Sequence, residues 1–354
     1  MGNILLTFAI SAIVGYVFFK LKFPGGFLVG AVVGSTVLSV GFQVAEMPYV
    51  AKFVAQATAG AFIGVSCERE DLQKLKSAWK PALVVLSSML MINILAGFTL
   101  AGVSHLDLLT ALLSGIPGGV SNTPLIAVEV GGVVSQIVFI QYIRMCAGIG
   151  VFPSMVKFLT RHEEMPDEAE IARAKAELSA QKAAAKKRAV PYFAPLVLAV
   201  AAFSGWIGRI SDVPAGPLVF SMIGVFLLKL TGITGKLPMP IKRVAQVLSG
   251  AYIGCSISYE DVLDFPRLII PAIIVVIFYL LNAVVVGNFI SRKFSIPRRE
   301  ALLMVTPAGA SDMALISSEI GVHSTNLVIL QIVRMLCAVS VFPAVMIFIA
   351  SCLS

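Results

Sequence analysis

The sequence predicts an all-α polytopic membrane protein made of two inverted repeats, each of about five transmembrane helices plus one re-entrant or broken helical hairpin. Three observations predict it. Of 354 residues, 58% are apolar and only 13% are charged, against about 45–50% and about 25% in a soluble domain; the mean hydropathy is +0.93. The chain also repeats itself at one fixed offset, Gly15 falling on Gly205. Finally, the basic residues of matching loops change places between the two repeats.

The composition excludes a soluble enzyme, a disordered chain and a disulfide scaffold. A net charge of +8 would suit nucleic acid, but the basic residues stand in short loops between apolar runs, where membrane topology puts them. No nucleic-acid partner is expected. Cys67, Cys146, Cys255, Cys337 and Cys352 are far apart and include no CxxC, so neither a disulfide framework nor a metal site is implied. The first apolar run begins without a basic region before it, so residues 3–19 are expected to be a membrane helix and not a cleaved leader.

The repeat sets the domain organisation. Positions 1–157 align with 191–347 without a gap: Pro24 meets Pro214, Gly26 meets Gly216, Gln56 meets Gln246, and Gly60 and Gly64 meet Gly250 and Gly254. The block ALLSGIPGGVSNTPLIAVE at 111–129 meets ALLMVTPAGASDMALISSE at 301–319. After it Gln141, Arg144, Met145, Phe152 and Pro153 meet Gln331, Arg334, Met335, Phe342 and Pro343. The expected organisation is repeat one over 1–157, a charged, alanine-rich helical linker over 158–190, and repeat two over 191–354.

Within the first repeat, apolar segments cover 3–19, 25–42, 50–66, 80–102, 107–130 and 134–157. Between segments three and four stand Arg69, Lys74, Lys76 and Lys80, whereas the second repeat offers only Arg267 there. Between segments four and five the first repeat has no lysine or arginine, and the second has Arg292, Lys293, Arg298 and Arg299. The loop read before segment three reverses likewise, Lys52 standing against Lys229, Lys236, Lys242 and Arg243. The halves are therefore expected to cross the membrane in opposite directions, with the linker cytoplasmic, both termini outside, and the chain in the inner (plasma) membrane.

Opposite orientation needs an odd number of crossings per half. The fifth segment is the exception, because Ile116-Pro117-Gly118-Gly119 and Thr306-Pro307-Ala308-Gly309 interrupt it. Proline lacks the amide hydrogen and glycine permits the turn. Residues 107–130 and 297–320 are read as re-entrant hairpins, a fully spanning broken helix being the alternative.

Irregular backbone at membrane depth must line an enclosed or watery cavity, and paired Gly/Pro breaks in inverted halves point to a midplane substrate site. Ser121-Asn122-Thr123-Pro124 reads as a capped helix start, and Ser311-Asp312 as its counterpart. Two such N-termini suit an anion. Gln141 with Arg144, and Gln331 with Arg334, share a helix face; a guanidinium can hold a carboxylate by two hydrogen bonds. The competing reading is an internal salt bridge from Arg144 to Glu129 and from Arg334 to Glu319. The expected substrate site comprises Gly118, Gly119, Ser121, Asn122, Thr123, Gln141, Arg144, Thr306, Gly309, Ser311, Asp312, Gln331 and Arg334. Asp312, Glu129 and Glu319 are the acidic residues of the membrane segments and the candidates for ion coupling. Gly60, Gly64, Gly250 and Gly254, four residues apart in pairs, are expected to permit close helix packing.

The duplicated pattern P-[GA]-G-x-S-[ND]-x-x-x-[IL]-x-x-E-x-G, followed by Q-x-x-R-M and a later proline, resembles the AbrB-like duplicated membrane protein family along nearly the whole chain. Members of that family carry ammonia monooxygenase and regulator as labels. The pattern is similar, at the level of fold, to the inverted-repeat cation:anion transporters of the bile-acid, citrate and auxin carrier type. The resemblance implies a membrane carrier. Oxygenase chemistry needs clustered ligands, and His105, His162 and His323 are far apart in sequence. The expectation is a secondary transporter of a small organic anion, a carboxylate foremost, working by alternating access and coupled to Na⁺ or H⁺. It is expected to be no enzyme and to hold no cofactor, with membrane lipid, the anion and a second copy in a homodimer as partners. The alternative is a membrane-embedded sensor that binds a ligand and affects gene expression indirectly.

Overall fold

The computed structural model describes residues 2–67, 69–118, 120–161, 193–211, 213–233, 237–307 and 325–353, with the single residues 172, 235 and 317. Most of the linker lies outside the described residues. Among those described there are helices and turns and no strand; the chain is an all-α polytopic membrane protein.

The first half runs α1 (Gly2–Lys20), α2 (Gly26–Val37, prolonged by a π turn over Leu38–Phe42), α3 (Tyr49–Ser66), α4 (Arg69–Ser104), α5 (Leu108–Gly115), α6 (Thr123–Val130) and α7 (Val134–Leu159). The second half runs α8 (Phe193–Ile210), α9 (Gly216–Leu230), α10 (Met239–Cys255), α11 (Tyr259–Asp264), a 3₁₀ turn (Phe265–Leu268), α12 (Ile269–Phe294), α13 (Arg298–Val305) and α14 (Thr325–Leu353). Boundaries recur at the sequence offset, most closely for α5 and α13. One pair differs. α4 runs unbroken through Pro81, whereas its counterpart is split into α11 and α12. There Ser258 and Asp261 form a capping box, and Pro266 withholds an amide hydrogen just after. The fourth segment thus begins earlier than the expected residue 80, its charged first turns continuing the helix beyond the apolar stretch.

Among the described residues, six helical stretches are long and apolar enough to cross a bilayer: Gly2–Lys20, Trp79–Ser104, Val134–Leu159, Phe193–Ile210, Tyr259–Phe294 and Ile329–Leu353. α2 with its π turn, and α9, are apolar but shorter. α2 packs on α10, α3 on α9, and α3 on α10. Glycines set these contacts. Gly60 and Gly64 lie against Leu218 and Met222 of α9, and Gly250 and Gly254 against Leu28 and Val32 of α2. The same four positions of one repeat thus seat both crossings between halves, and the close-packing reading of these glycines holds.

The helices form two groups. α1, α2 and α3 pack with α8, α9 and α10, while α4, α5, α6 and α7 pack with α12, α13 and α14. α7 orders the second group. At its N-terminal end the Ser135 hydroxyl donates to Asp261 (2.8 Å), and the preceding Val133 amide donates to Thr110 at the start of α5 (3.0 Å). At its C-terminal end the carbonyls of Leu159 and Thr160 accept from Arg298 and Arg299 at the start of α13 (3.0 and 3.1 Å). Cations suit a helix C-terminus. α5 and α13 therefore enter the bundle at opposite ends of a helix about 39 Å long.

Candidate functional site

α5 is started by Asp107, whose carboxylate accepts from the Thr110 amide (3.1 Å) and hydroxyl (3.3 Å). α5 and α6 have eight residues each, a rise of about 12 Å, less than half of a hydrocarbon core about 30 Å thick. Because Val133 returns to Thr110, the two helices double back on one another, and Ile116, Val120 and Asn122 at their junction are buried. The C-terminal carbonyls of α5 have no partner within the helix. Side chains from other helices supply them. Gln141 Nε2 donates to Leu113 O (3.1 Å) and the Tyr279 hydroxyl to Gly115 O (2.9 Å), while Arg144 Nη2 donates to Gly118 O (3.2 Å), three residues beyond the end of α5.

The second half repeats the device. Gln331 Nε2 donates to Leu303 O (3.3 Å), and Arg334 Nη1 donates to Thr306 O at the end of α13. Thr306 is itself buried, its hydroxyl on Leu302 O (2.9 Å). Both arginines are buried, Arg144 at 2% and Arg334 at 4% exposure. They interact electrostatically with each other and with Tyr279, so sites distant in sequence meet at one centre. A Cβ on Gly118 would lie 3.3 Å from Ala338 O of α14, which places the hairpin junction against the other half.

Each guanidinium faces the negative end of a half-helix dipole, yet Arg144 has capacity to spare. Its Nε and Nη1 are buried with no hydrogen-bond partner, as are Oε1 of Gln141 and both side-chain polar atoms of Asn93. Asn93, fully buried, abuts Gly115. No carboxylate of the described residues pairs with Arg144. Glu129 is occupied elsewhere: it accepts from Lys52 (3.1 Å), from Gln56 Nε2 (3.0 Å) and from the Ala215 amide (2.6 Å). The salt bridge from Arg144 to Glu129 is therefore overturned. So is the placing of Lys52 in a loop; it stands within α3, 2% exposed.

A capped helix start at Asn122 needs correction too. α6 begins at Thr123 with Pro124 in its first turn, but the Asn122 side chain caps no amide and its backbone is already helical. Its Oδ1 accepts from the Ser121 hydroxyl (3.3 Å), and the Ser121 carbonyl accepts from Ser249 of α10 (3.2 Å). Gly119, Gly309, Ser311, Asp312 and Glu319 lie outside the described residues. Among the expected residues, Gly118, Gln141, Arg144, Thr306, Gln331 and Arg334 share the half-helix ends. Lys52, Tyr279 and Asn93 were not foreseen. Lys52 had a signal, since it falls on Lys242 at the repeat offset; Tyr279 and Asn93 fall on Met89 and Ala283, so duplication could not mark them.

The chain was compared with known proteins. It is 23% identical over 351 residues to "Putative regulator AbrB" of Escherichia coli (strain K12), covering 97% of this chain and 95% of that protein. It is 24% identical over 298 residues to "Uncharacterized protein YhjN" of Bacillus subtilis (strain 168), covering 82% and 76% respectively. The model of the family described as "Transition state regulatory protein AbrB" matches residues 1–160 and again 54–350. With both halves matched by that model, the chain belongs to the AbrB family.

Proposed function

We propose that this protein is a secondary transporter of a small organic anion, a carboxylate foremost, which works by alternating access between two inverted repeats. One observation carries the reading: Arg144 is buried at mid-helix with two guanidinium nitrogens unpartnered and no carboxylate of the described residues beside it. A cation at membrane depth is costly and marks a functional site. An anionic ligand supplies both the charge and the acceptors that the arginine lacks. The doubled-back α5–α6 pair, too short to cross, supports a re-entrant hairpin, and the entry of α13 from the other end of α7 supports the inversion.

In this reading α1–α3 with α8–α10 form the scaffold, and the hairpin-bearing group moves against it. Na⁺ or H⁺ is the coupling ion, with Asp312, Glu129 and Glu319 as candidates. Lipid surrounds the protein, two copies associate, and no cofactor or catalysis is involved. The protein lies in the inner membrane with the linker in the cytoplasm and both termini outside. The name carried by the E. coli relative favours a second reading, a membrane-embedded sensor. Uptake of radiolabelled carboxylates into proteoliposomes decides between them: ligand-dependent flux by the wild type supports transport, and binding without flux supports the sensor.

Orientation has its own test. In a cysteine-free background, Ser104→Cys and Lys293→Cys are expected to react with an impermeant thiol reagent from opposite sides of sealed vesicles. Labelling from one side only would overturn the inversion.

A further inference from the structure

We propose that a groove on the outer face of α12 binds the headgroup of an anionic phospholipid, in the leaflet on the side where α7 ends. The proposal needs only that the chain lies in a membrane and is independent of the transport reading. An open groove of about 380 Å³ is lined by Val285, Asn288, Phe289, Arg292 and Lys293. These are positions i, i+3, i+4, i+7 and i+8 of one helix, so they form a single stripe about 12 Å long. The stripe changes character along its length. Val285 and Phe289 are exposed, and Ile277 and Leu281 continue the exposed apolar row at the same spacing toward the middle of the helix. Arg292 and Lys293, also exposed, close it in the last turn of α12.

That order matches a phospholipid, whose acyl chains need apolar surface and whose phosphodiester needs cations at the membrane boundary. The guanidinium of Arg292 can hold phosphate by two hydrogen bonds, and the ammonium of Lys293 adds a point charge. Asn288 stands between the two ends of the stripe. Its Oδ1 accepts from Arg298 Nε (2.7 Å), so the other end of its amide is a donor, the sense a phosphate oxygen needs. Arg298 Nη1 in turn donates to Leu159 O (3.0 Å) at the end of α7, which places the groove at that boundary. A zwitterionic headgroup brings its own ammonium to these cations, whereas an anionic one brings none, so the anionic class is favoured. The repeat supplies an internal comparison. Leu95, Phe98, Thr99, Gly102 and Val103 of α4 stand in the register of the groove residues, and α4 leads into α5 at the other end of α7. The apolar row persists there, with Met91 and Leu95 exposed, but both cations and the asparagine are gone. The shared fold therefore does not demand them, and Arg298 and Arg299 already give the loop after α12 its positive charge.

Tryptophan quenching by brominated lipid tests the site without any transport substrate. In the full-length chain with Trp79→Phe and Trp206→Phe, Leu281→Trp places one tryptophan on the apolar row and Met91→Trp places one at its repeat position. Each protein is reconstituted in phosphatidylcholine with increasing amounts of brominated phosphatidylglycerol, and brominated phosphatidylcholine gives the reference curve. Each basic residue near the surface favours anionic lipid about fivefold. Leu281→Trp is therefore expected to report a preference of roughly 25-fold for phosphatidylglycerol, and Met91→Trp near parity. Arg292→Gln and Lys293→Gln are each expected to cut that preference about fivefold, and together to bring it to parity. Both side chains are exposed, so these variants are expected to fold and insert normally. An unchanged preference in the paired variant, or an equal preference at the two tryptophans, would overturn the site. So would parity at Leu281→Trp with both cations present. If a preference then emerges only when Glu163, Glu164, Asp167, Glu168 and Glu170 are changed to amides, the cations serve the chain's own acidic run and not lipid.

Discussion

Arg144→Gln is expected to abolish carboxylate binding while leaving the protein folded and inserted. Arg144 Nη2 spends itself on Gly118 O (3.2 Å), and Nε and Nη1 remain for the ligand. Losing hydrogen bonds to a charged group costs about 1.5–3 kcal/mol, or roughly 10- to 150-fold in Kd. Ligand at about 100 Kd stabilises a protein by about 2.7 kcal/mol. The same concentration acting on a site weakened about 100-fold gives only about 0.4 kcal/mol, so the ligand-dependent rise in melting temperature should nearly vanish. Arg334→Gln is expected to act in the same direction. Arg144→Lys keeps the charge but not the fork, and should retain part of the shift. Thermal melts with and without a carboxylate panel read all three. Undiminished shifts in both Gln variants would make the arginines caps for α5 and α13 and nothing more.

The repeat, the broken fifth segment and the paired Gln–Arg faces were legible because each is written in residue types whose backbone or solvation needs are severe. Proline and glycine at 117–119 cannot sit in a smooth helix, and an arginine in an apolar run demands a partner. Which partner was not legible. Glu129 and Arg144 lie in one half and are of opposite sign, yet the α5–α6 pair turns Glu129 toward α3 and Arg144 toward Gly118 O. That choice depends on how the α5–α6 pair docks, a tertiary fact with no local sequence signature. Lys52 was misplaced for a related reason. A lysine near the start of an apolar segment resembles a loop cation, and only the position of Glu129 from the other helix group makes its burial tolerable. Asn93 and Tyr279 are legible as intramembrane polar residues alone; their convergence on Gly115 follows from α4 and α12 both packing beside α5.

Gly60→Val and Gly250→Val are expected to be strongly destabilising, although both lie outside the polar centre. A side chain at Gly60 would overlap the carbonyl oxygen of Leu218, and one at Gly250 would come within 2.6 Å of Leu28 O and 2.7 Å of the Ala31 methyl. Backbone atoms cannot turn aside, so the helices must separate, at a cost of about 1–3 kcal/mol or more for each overpacked site. The two losses should be similar, because the α3–α9 and α2–α10 seams are built from the same repeat positions. Gly150→Ala is the control. It lies in α7 with nothing within 4 Å of a built Cβ, and replacing an unconstrained helical glycine should gain about 0.5–1 kcal/mol. Denaturant or thermal unfolding of the detergent-solubilised variants reads these signs, and a Gly60→Val protein as stable as wild type would sink the close-packed seam. The contrast bears on mechanism as well as stability. Glycine-seated helices hold the group of α1–α3 and α8–α10 together through backbone contact, whereas that group meets the other partly through polar links at Glu129 and Ser249. On the transport reading proposed above, such a protein would yield between the groups before it yields within either one.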